Sequence, residues 1–149
     1  MLNLSVAGLI IFGIPESLLV IWSVHVFARK EINKRDYFLS SILLLIGGWP
    51  VRFLPVFFGI HIIINIFFLI LISIKIIKLS VTKAISCGLI AFACRAACDL
   101  INLVMLIKVF NVDIEKAFTN EVIKNLYGLP SVFIYGCIIL LANRIIKRR

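Results

Sequence analysis

The chain has 149 residues, of which 62% are hydrophobic, and it carries a formal net charge of +9. No soluble fold of this length needs so high an apolar content, so the composition excludes a water-soluble domain and indicates a membrane protein. The bases cluster at the ends of apolar segments, where they set topology and contact lipid headgroups. The sequence shows no basic stripe interleaved with aromatic residues, so we expect no nucleic-acid partner.

Five apolar segments of near-bilayer length follow one another along the chain. They are Leu4–Ala28, Tyr37–Leu54, Gly59–Ile77, Ala84–Leu106 and Leu126–Ile146. A hydrocarbon core about 30 Å thick needs ~20 apolar residues in a helix. The segments are continuous Ile/Leu/Phe runs and not the short alternating strands of a barrel. We therefore predict an all-α protein with a single membrane domain over residues 1–149, a bundle of five transmembrane helices.

The first segment carries Pro15 and Glu16 near its centre and has no basic region before it, so we do not expect it to be a cleaved signal peptide. Glu16 lies roughly 18 Å into the helix, close to the bilayer midplane. Pro15 is expected to kink the helix and to free the carbonyl of Ile11. An ionisable group at this depth is a functional hypothesis, and a neutral or paired carboxyl that serves only packing is the alternative.

The second segment ends in the proline-rich stretch Trp49–Pro55, and the third begins at Phe57–His61. Two prolines within six residues predict a helix end at the outer face. Arg52 either snorkels outward or turns inward to meet Glu16 or Asp99. Together the aromatic residues and this arginine form a mouth suited to an apolar or anionic ligand, or only an aromatic belt with one anchoring base.

The fourth segment is the most polar. Arg95, Asp99 and Asn102 lie at i, i+4 and i+7, so they share one helix face. Arg95 can pair with Asp99 along its own helix, or it can bridge Asp99 and Glu16 in a three-charge cluster. We predict a polar pocket formed by Glu16, Arg52, Arg95, Asp99 and Asn102. Whether this pocket is a structural ion cluster or a ligand site stays open at this point.

The fourth segment also carries a face of small residues, Cys87, Ala91, Cys94 and Cys98. Such a face allows close helix approach, so this helix is expected to lie at the centre of the bundle. The Cys94-x-x-x-Cys98 spacing suggests zinc only with two further ligands, for which His61 is one candidate on the outer side, whereas His25 is expected near the other membrane face. We expect packing instead, with no metal and no cofactor. A Cys–His peptidase lacks any local signature, so we do not expect an enzyme.

The bases alternate from rich to poor between successive connections. Connections 29–36 and 75–83 and the tail 144–149 carry eleven bases, whereas the other two connections carry four. This predicts a multi-pass protein of the cell (inner or plasma) membrane with its N-terminus outside and its C-terminus in the cytoplasm. Within the fourth connection, Val112–Lys124 has the spacing of an amphipathic interfacial helix, after which Gly128 and Pro130 are expected to open helix five.

Three short motifs carry a resemblance to a known family. They are Ile14–Leu19, Val51–Pro55 followed by Phe58–His61, and Leu126–Ser131. In order and spacing they resemble the N-terminal multi-span membrane sensor module of clostridial-type (GHKL) sensor histidine kinases, over essentially the whole chain. Such a kinase would continue into a phosphoacceptor helix and an ATP-binding domain, and neither is present in this sequence. The resemblance therefore implies sensing or partner binding without kinase activity.

We expect an integral membrane sensor-like or regulatory module that binds a ligand or partner and relays the event to a cytoplasmic partner through the basic end of helix five. Its partners would be the lipid bilayer and a cytoplasmic signalling protein or a second copy of the chain. A rival interpretation is a small transporter component or a proton-coupled carrier that uses Glu16 and Asp99 as relay groups. The inverted repeat common in such carriers is missing from the sequence.

Overall fold

In the computed structural model, residues 9–51, 60–109 and 121–148 are described, and they form five helices with no strand among them. A π-helical turn, Leu9–Gly13, leads directly into the first helix. The helices are α1 (Ile14–Ala28), α2 (Lys34–Val51), α3 (Ile60–Lys75), α4 (Val81–Lys108) and α5 (Glu121–Arg148). The predicted all-α fold is confirmed over this part of the chain.

Three of the described helical stretches are long and apolar enough to cross a membrane. They are Ile10–Ala28, Val81–Lys108 and Tyr127–Arg148, and the shorter apolar helix Ile62–Lys75 accompanies them. Length and composition therefore support a membrane protein. Five spans and the predicted orientation stay predictions.

The contacts between helices show an antiparallel arrangement. Helix α1 packs against α2, α4 and α5, and α4 packs against α1, α3 and α5. Ser23 of α1 and Ala91 of α4 both meet Tyr135 of α5, while Glu16 and Ser131 both meet Arg95. From the level of Arg95 to the level of Tyr135, residue numbers increase in α1 and in α5 but decrease in α4. Helices α1 and α5 therefore run in one direction and α4 runs in the other.

Helix α1 is the most deeply buried of the three long helices. In the most apolar part of the stretch that contains α1, 44% of the residues are buried, whereas 22% are buried in the corresponding parts of α4 and α5. Its side chains Ile21 and Val24 are fully buried and join Leu69, Tyr135 and Ile139 in the core. The sequence placed α4 at the centre of the bundle. In the structure α4 contacts three helices, but α1 takes the more enclosed position.

The backbone is irregular at the entry into α1, next to Pro15, where the sequence predicts a kink. The chain forms a π-helical turn over Leu9–Gly13, and Pro15 then falls in the first turn of α1. Because the π-helical turn runs directly into α1 and Gly13 is itself helical, Pro15 lies within a continuous helix, and its missing N–H leaves a carbonyl of the preceding turn without that backbone donor. The backbone irregularity is therefore concentrated immediately before Glu16, in a form that often accompanies functional sites.

Helix α5 begins earlier than the sequence suggested. It starts at Glu121, so Gly128 and Pro130 lie inside it, and the prediction that they open the helix was wrong. Side-chain donors stabilise the turn that Pro130 disturbs. Asn102 Nδ2 donates to the Tyr127 carbonyl at 2.7 Å, and Ser131 Oγ donates to the Gly128 carbonyl at 2.7 Å. Most of the predicted interfacial helix 112–124 lies outside the described residues, and its last four residues belong to α5.

Helices α2 and α3 approach closely at a pair of glycines. A Cβ at Gly47 would lie 3.1 Å from the ring of Phe68, and one at Gly48 would lie 2.6 Å from Asn65 Oδ1. Small residues at such a crossing let two helix backbones come together. This contact packs α3 against α2, and α3 packs against α4 as well.

One end of the bundle is strongly basic. The C-terminal ends of α1, α3 and α5 and the N-terminal ends of α2 and α4 meet there. The described bases at this end are Arg29, Lys30, Lys34, Arg35, Lys75, Lys78, Lys83, Arg144, Lys147 and Arg148. Lys108 lies at the opposite end of α4. The bases that predict the cytoplasmic side from the sequence therefore also lie together at one end of the described helices.

Candidate functional site: a charge cluster between three helices

Arg95 of α4 is the centre of the site, and it is only 5% exposed. Its Nε lies 3.4 Å from Glu16 Oε1 of α1, and its Nη1 pairs with Asp99 Oδ1 one turn along α4. One guanidinium therefore bridges carboxylates of two helices. A buried charge without such partners is strongly destabilising, so the cluster is a strong constraint on how α1 and α4 pack.

Helix α5 completes the surroundings of the guanidinium. Arg95 Nη1 also donates to Ser131 Oγ at 3.3 Å. The Arg95 Cζ lies 5.8 Å from the ring centroid of Phe12 and 6.0 Å from that of Tyr135. A guanidinium within about 6 Å of a ring face is attracted by the ring's electrons. The cation is thus held by polar groups and by aromatic rings at once.

A second buried polar contact lies one turn further along the same three helices. Tyr135 is fully buried, and its hydroxyl donates to Ser23 Oγ at 2.8 Å and lies 3.2 Å from the Ala91 carbonyl. Ser23 Oγ in turn donates to the Val20 carbonyl at 2.7 Å. Sequence reasoning did not single out these residues. The only available signal was the i, i+4 placement of Ser131 and Tyr135 on one face of an apolar helix.

Asn102 is buried on the same face of α4 as Arg95, but it does not contact the charges directly. Its amide donates to the Tyr127 carbonyl and so joins α4 to α5 two turns from Arg95. Arg52 lies outside the described residues. Of the five residues predicted for the pocket, the structure therefore brings Glu16, Arg95 and Asp99 together and places Asn102 at a neighbouring contact.

The cluster is enclosed on one side and open on the other. The side chains of Arg95 and Glu16 are 6% and 18% exposed, whereas that of Asp99 is 53% exposed. Asp99 is followed on α4 by Leu100 and Ile101, which are exposed apolar residues. A half-exposed carboxylate in an apolar helix is costly in lipid, so the Asp99 side is where water, a ligand or another protein would approach.

The small-residue face of α4 points into the bundle. Cys87, Ala91 and Cys98 are buried and Cys94 is partly buried, as expected for a packing face, and the cysteines are free. Within the described ranges, no three His, Cys, Asp or Glu residues lie close enough together to hold a metal. Of the two candidate histidines, His25 is buried in α1, with Nδ1 2.9 Å from the Ile21 carbonyl, and the side chain of His61 is not among those described.

No protein-family model, no curated protein and no solved structure matches this chain. The resemblance to the membrane module of sensor histidine kinases stays a prediction from its three sequence motifs.

Proposed function

We propose that the chain is a sensor-like or regulatory membrane module in which the Arg95 cluster responds to a ligand or partner that approaches from the Asp99 side. The observation that supports this best is that one buried guanidinium contacts α1, α4 and α5, while one of its two carboxylates is half exposed. A group that competes for Asp99 would change the charge balance around Arg95. The contacts of Arg95 with Glu16 and Ser131 would then shift.

The proposed output runs along α5. Ser131 touches Arg95, and the same helix continues to Lys147 and Arg148 at the basic end of the bundle. Sixteen residues at 1.5 Å per residue separate Ser131 from Lys147, a distance of roughly 24 Å. A rigid helix that adopts two positions can carry a change over this distance, provided that the ligand favours one position. The basic end would then present a different surface to an acidic cytoplasmic partner.

Site-specific photocrosslinking of the full chain in its native membrane tests the proposal. Ile145 is 61% exposed near the end of α5 and is a suitable position for the crosslinker. We expect one discrete soluble protein to crosslink there, and we expect Arg95→Gln to change the yield several-fold while Lys108→Gln leaves it unchanged. Absence of a discrete partner, or a yield unaffected by Arg95→Gln in a folded variant, contradicts the proposal.

A further inference from the structure

An open cleft of about 350 Å³ lies where α1 ends and α4 begins. Four bases line it, namely Arg29, Lys30, Lys78 and Lys83, together with Ser80, and no acidic residue is among its lining. Lys30 closes one side, because its Nζ donates to the carbonyls of Ile77 and Lys78. The side chains of Arg29, Lys78 and Lys83 form no ion pair or hydrogen bond within the described parts of the chain.

Two of these bases occupy backbone positions that favour glycine. Arg29 and Lys78 have φ of 52° and 56°, and they are the only described non-glycine residues with positive φ. Both follow the C-terminal ends of helices, where glycine commonly adopts this conformation without steric cost. The backbone geometry does not require a long cationic side chain at either position. Both side chains nevertheless line the same cleft.

The cleft lies at the level where apolar helices end. Ala28 is the last residue of one membrane-length stretch, and Val81 is the first residue of the next. In a bilayer this level corresponds to the headgroup layer, in which the anionic groups are lipid phosphates. The first turn of α4 has no acidic residue and no side-chain cap, so its helix dipole adds to the positive potential that the four bases create.

We propose that this cleft binds the phosphate headgroup of an anionic phospholipid from the leaflet at the basic end of the bundle. Arg29, Lys78 and Lys83 contact the phosphate. Lys30 joins the connection that follows α1 to the connection that follows α3, and so keeps both in place around the phosphate. The acyl chains extend along the exposed apolar surface of α4, where Ile90 lies about two turns beyond Lys83 on the same helix face. This inference is independent of any ligand at Arg95.

Native mass spectrometry of the full chain in detergent tests the site, with phosphatidylglycerol and phosphatidylcholine of identical acyl chains as probes. The variant Lys78→Gln/Lys83→Gln removes two cleft bases. The matched control, Lys34→Gln/Lys147→Gln, removes two bases at the same end outside the cleft. We expect the cleft variant to weaken phosphatidylglycerol binding by on the order of fivefold per base, with the control close to wild type and phosphatidylcholine binding unchanged. Equal thermal melting of both variants without lipid verifies that they are folded.

Two results would overturn the proposal. Equal losses in the cleft variant and the control would mean that phosphatidylglycerol is attracted by the whole basic end and not by a site. Displacement of phosphatidylglycerol by millimolar glycerol 3-phosphate, with the same stabilisation in a thermal melt, would assign the cleft to a soluble phosphate and exclude the lipid as its particular occupant.

Discussion

At the scale of single residues, the main energetic feature is the placement of Arg95 between two carboxylates in an apolar bundle. Its exposed fraction is 5%, so water contributes little to stabilising its charge. Glu16 and Asp99 do so instead, and removing one member of such a cluster leaves the others without their partner. The three side chains should therefore behave as one unit when they are mutated.

A mutant cycle measures this coupling. We expect Arg95→Leu to destabilise the wild-type protein more than it destabilises the variant Glu16→Gln/Asp99→Asn, because the carboxylates no longer need a cation in the variant. Breaking a buried pair from one side costs ~3–5 kcal/mol in soluble proteins, whereas polar contacts between membrane helices average ~0.6 kcal/mol. We therefore expect a coupling free energy of ~1 kcal/mol or more in unfolding from mixed micelles.

Lys108→Leu in the same two backgrounds is the control, because Lys108 lies at the far end of α4 and is exposed. Its effect should be identical in both backgrounds. Strictly additive effects for Arg95→Leu would mean that the three residues do not form one cluster.

The contact of Arg95 with the two carboxylates could be predicted from the sequence, whereas the contacts that α5 makes with Arg95 could not. Arg95 and Asp99 are one helical turn apart, so they can pair along their own helix. Glu16 is the only other acidic residue deep within a predicted span, and because a charged group is costly in lipid, it is expected to join them. Ser131 and Tyr135 are small or amphipathic residues whose role depends on which helix they face. That information comes from packing between distant parts of the chain and has no local sequence signal.

At the scale of helices, the contact between the π-helical turn before α1 and the proline-containing turn of α5 depends on Gly128. A Cβ at this position would lie 2.6 Å from Phe12 Cε2, and Phe12 is the ring over which Arg95 lies. By contrast, a Cβ at Gly136 would lie at an ordinary 3.7 Å from the Leu19 methyl carbons. The two glycines of the same helix therefore form a matched pair.

We predict opposite effects for alanine at these two positions. Gly128→Ala must displace the Phe12 ring and should destabilise the fold by about 1 kcal/mol, since overpacking typically costs ~1–3 kcal/mol and helix propensity returns part of it. Gly136→Ala should be neutral or stabilising by up to about 1 kcal/mol, because it only removes the conformational freedom of a helical glycine. Unfolding in mixed micelles measures both, and a stabilising Gly128→Ala would show that α1 and α5 are not in close contact there.

Hydropathy located the helices but not all of their ends. The predicted segments 84–106 and 126–146 lie inside α4 and α5, which extend further at both ends. Apolar content marks the part of a helix that suits lipid, and the polar turns beyond it carry no such signal. Pro130 is accommodated inside α5 where the Asn102 amide and the Ser131 hydroxyl donate hydrogen bonds to nearby carbonyls. These hydrogen bonds cannot be predicted from the presence of a proline alone.

At the scale of the whole molecule, the positions of the bases and of the apolar helices together predict the topology. Three described helices are apolar enough to cross a bilayer, and the described bases other than Arg95, Lys108 and Lys124 gather at one end of the bundle. Positive residues in short loops favour the cytoplasmic side. We predict a bundle of five membrane-spanning helices with this end in the cytoplasm, an arrangement that would place the Arg95 cluster within the bilayer.

Topology reporters fused along the full chain test the five-span arrangement. Fusions after Arg35, Lys83 and Arg149 should all report a cytoplasmic position, because each follows one of the base-rich connections or the basic tail of the sequence. A fusion after Glu115 should report an external position. A C-terminus that reports external, or fusions after Arg35 and Lys83 that report opposite sides, would contradict the five-span arrangement.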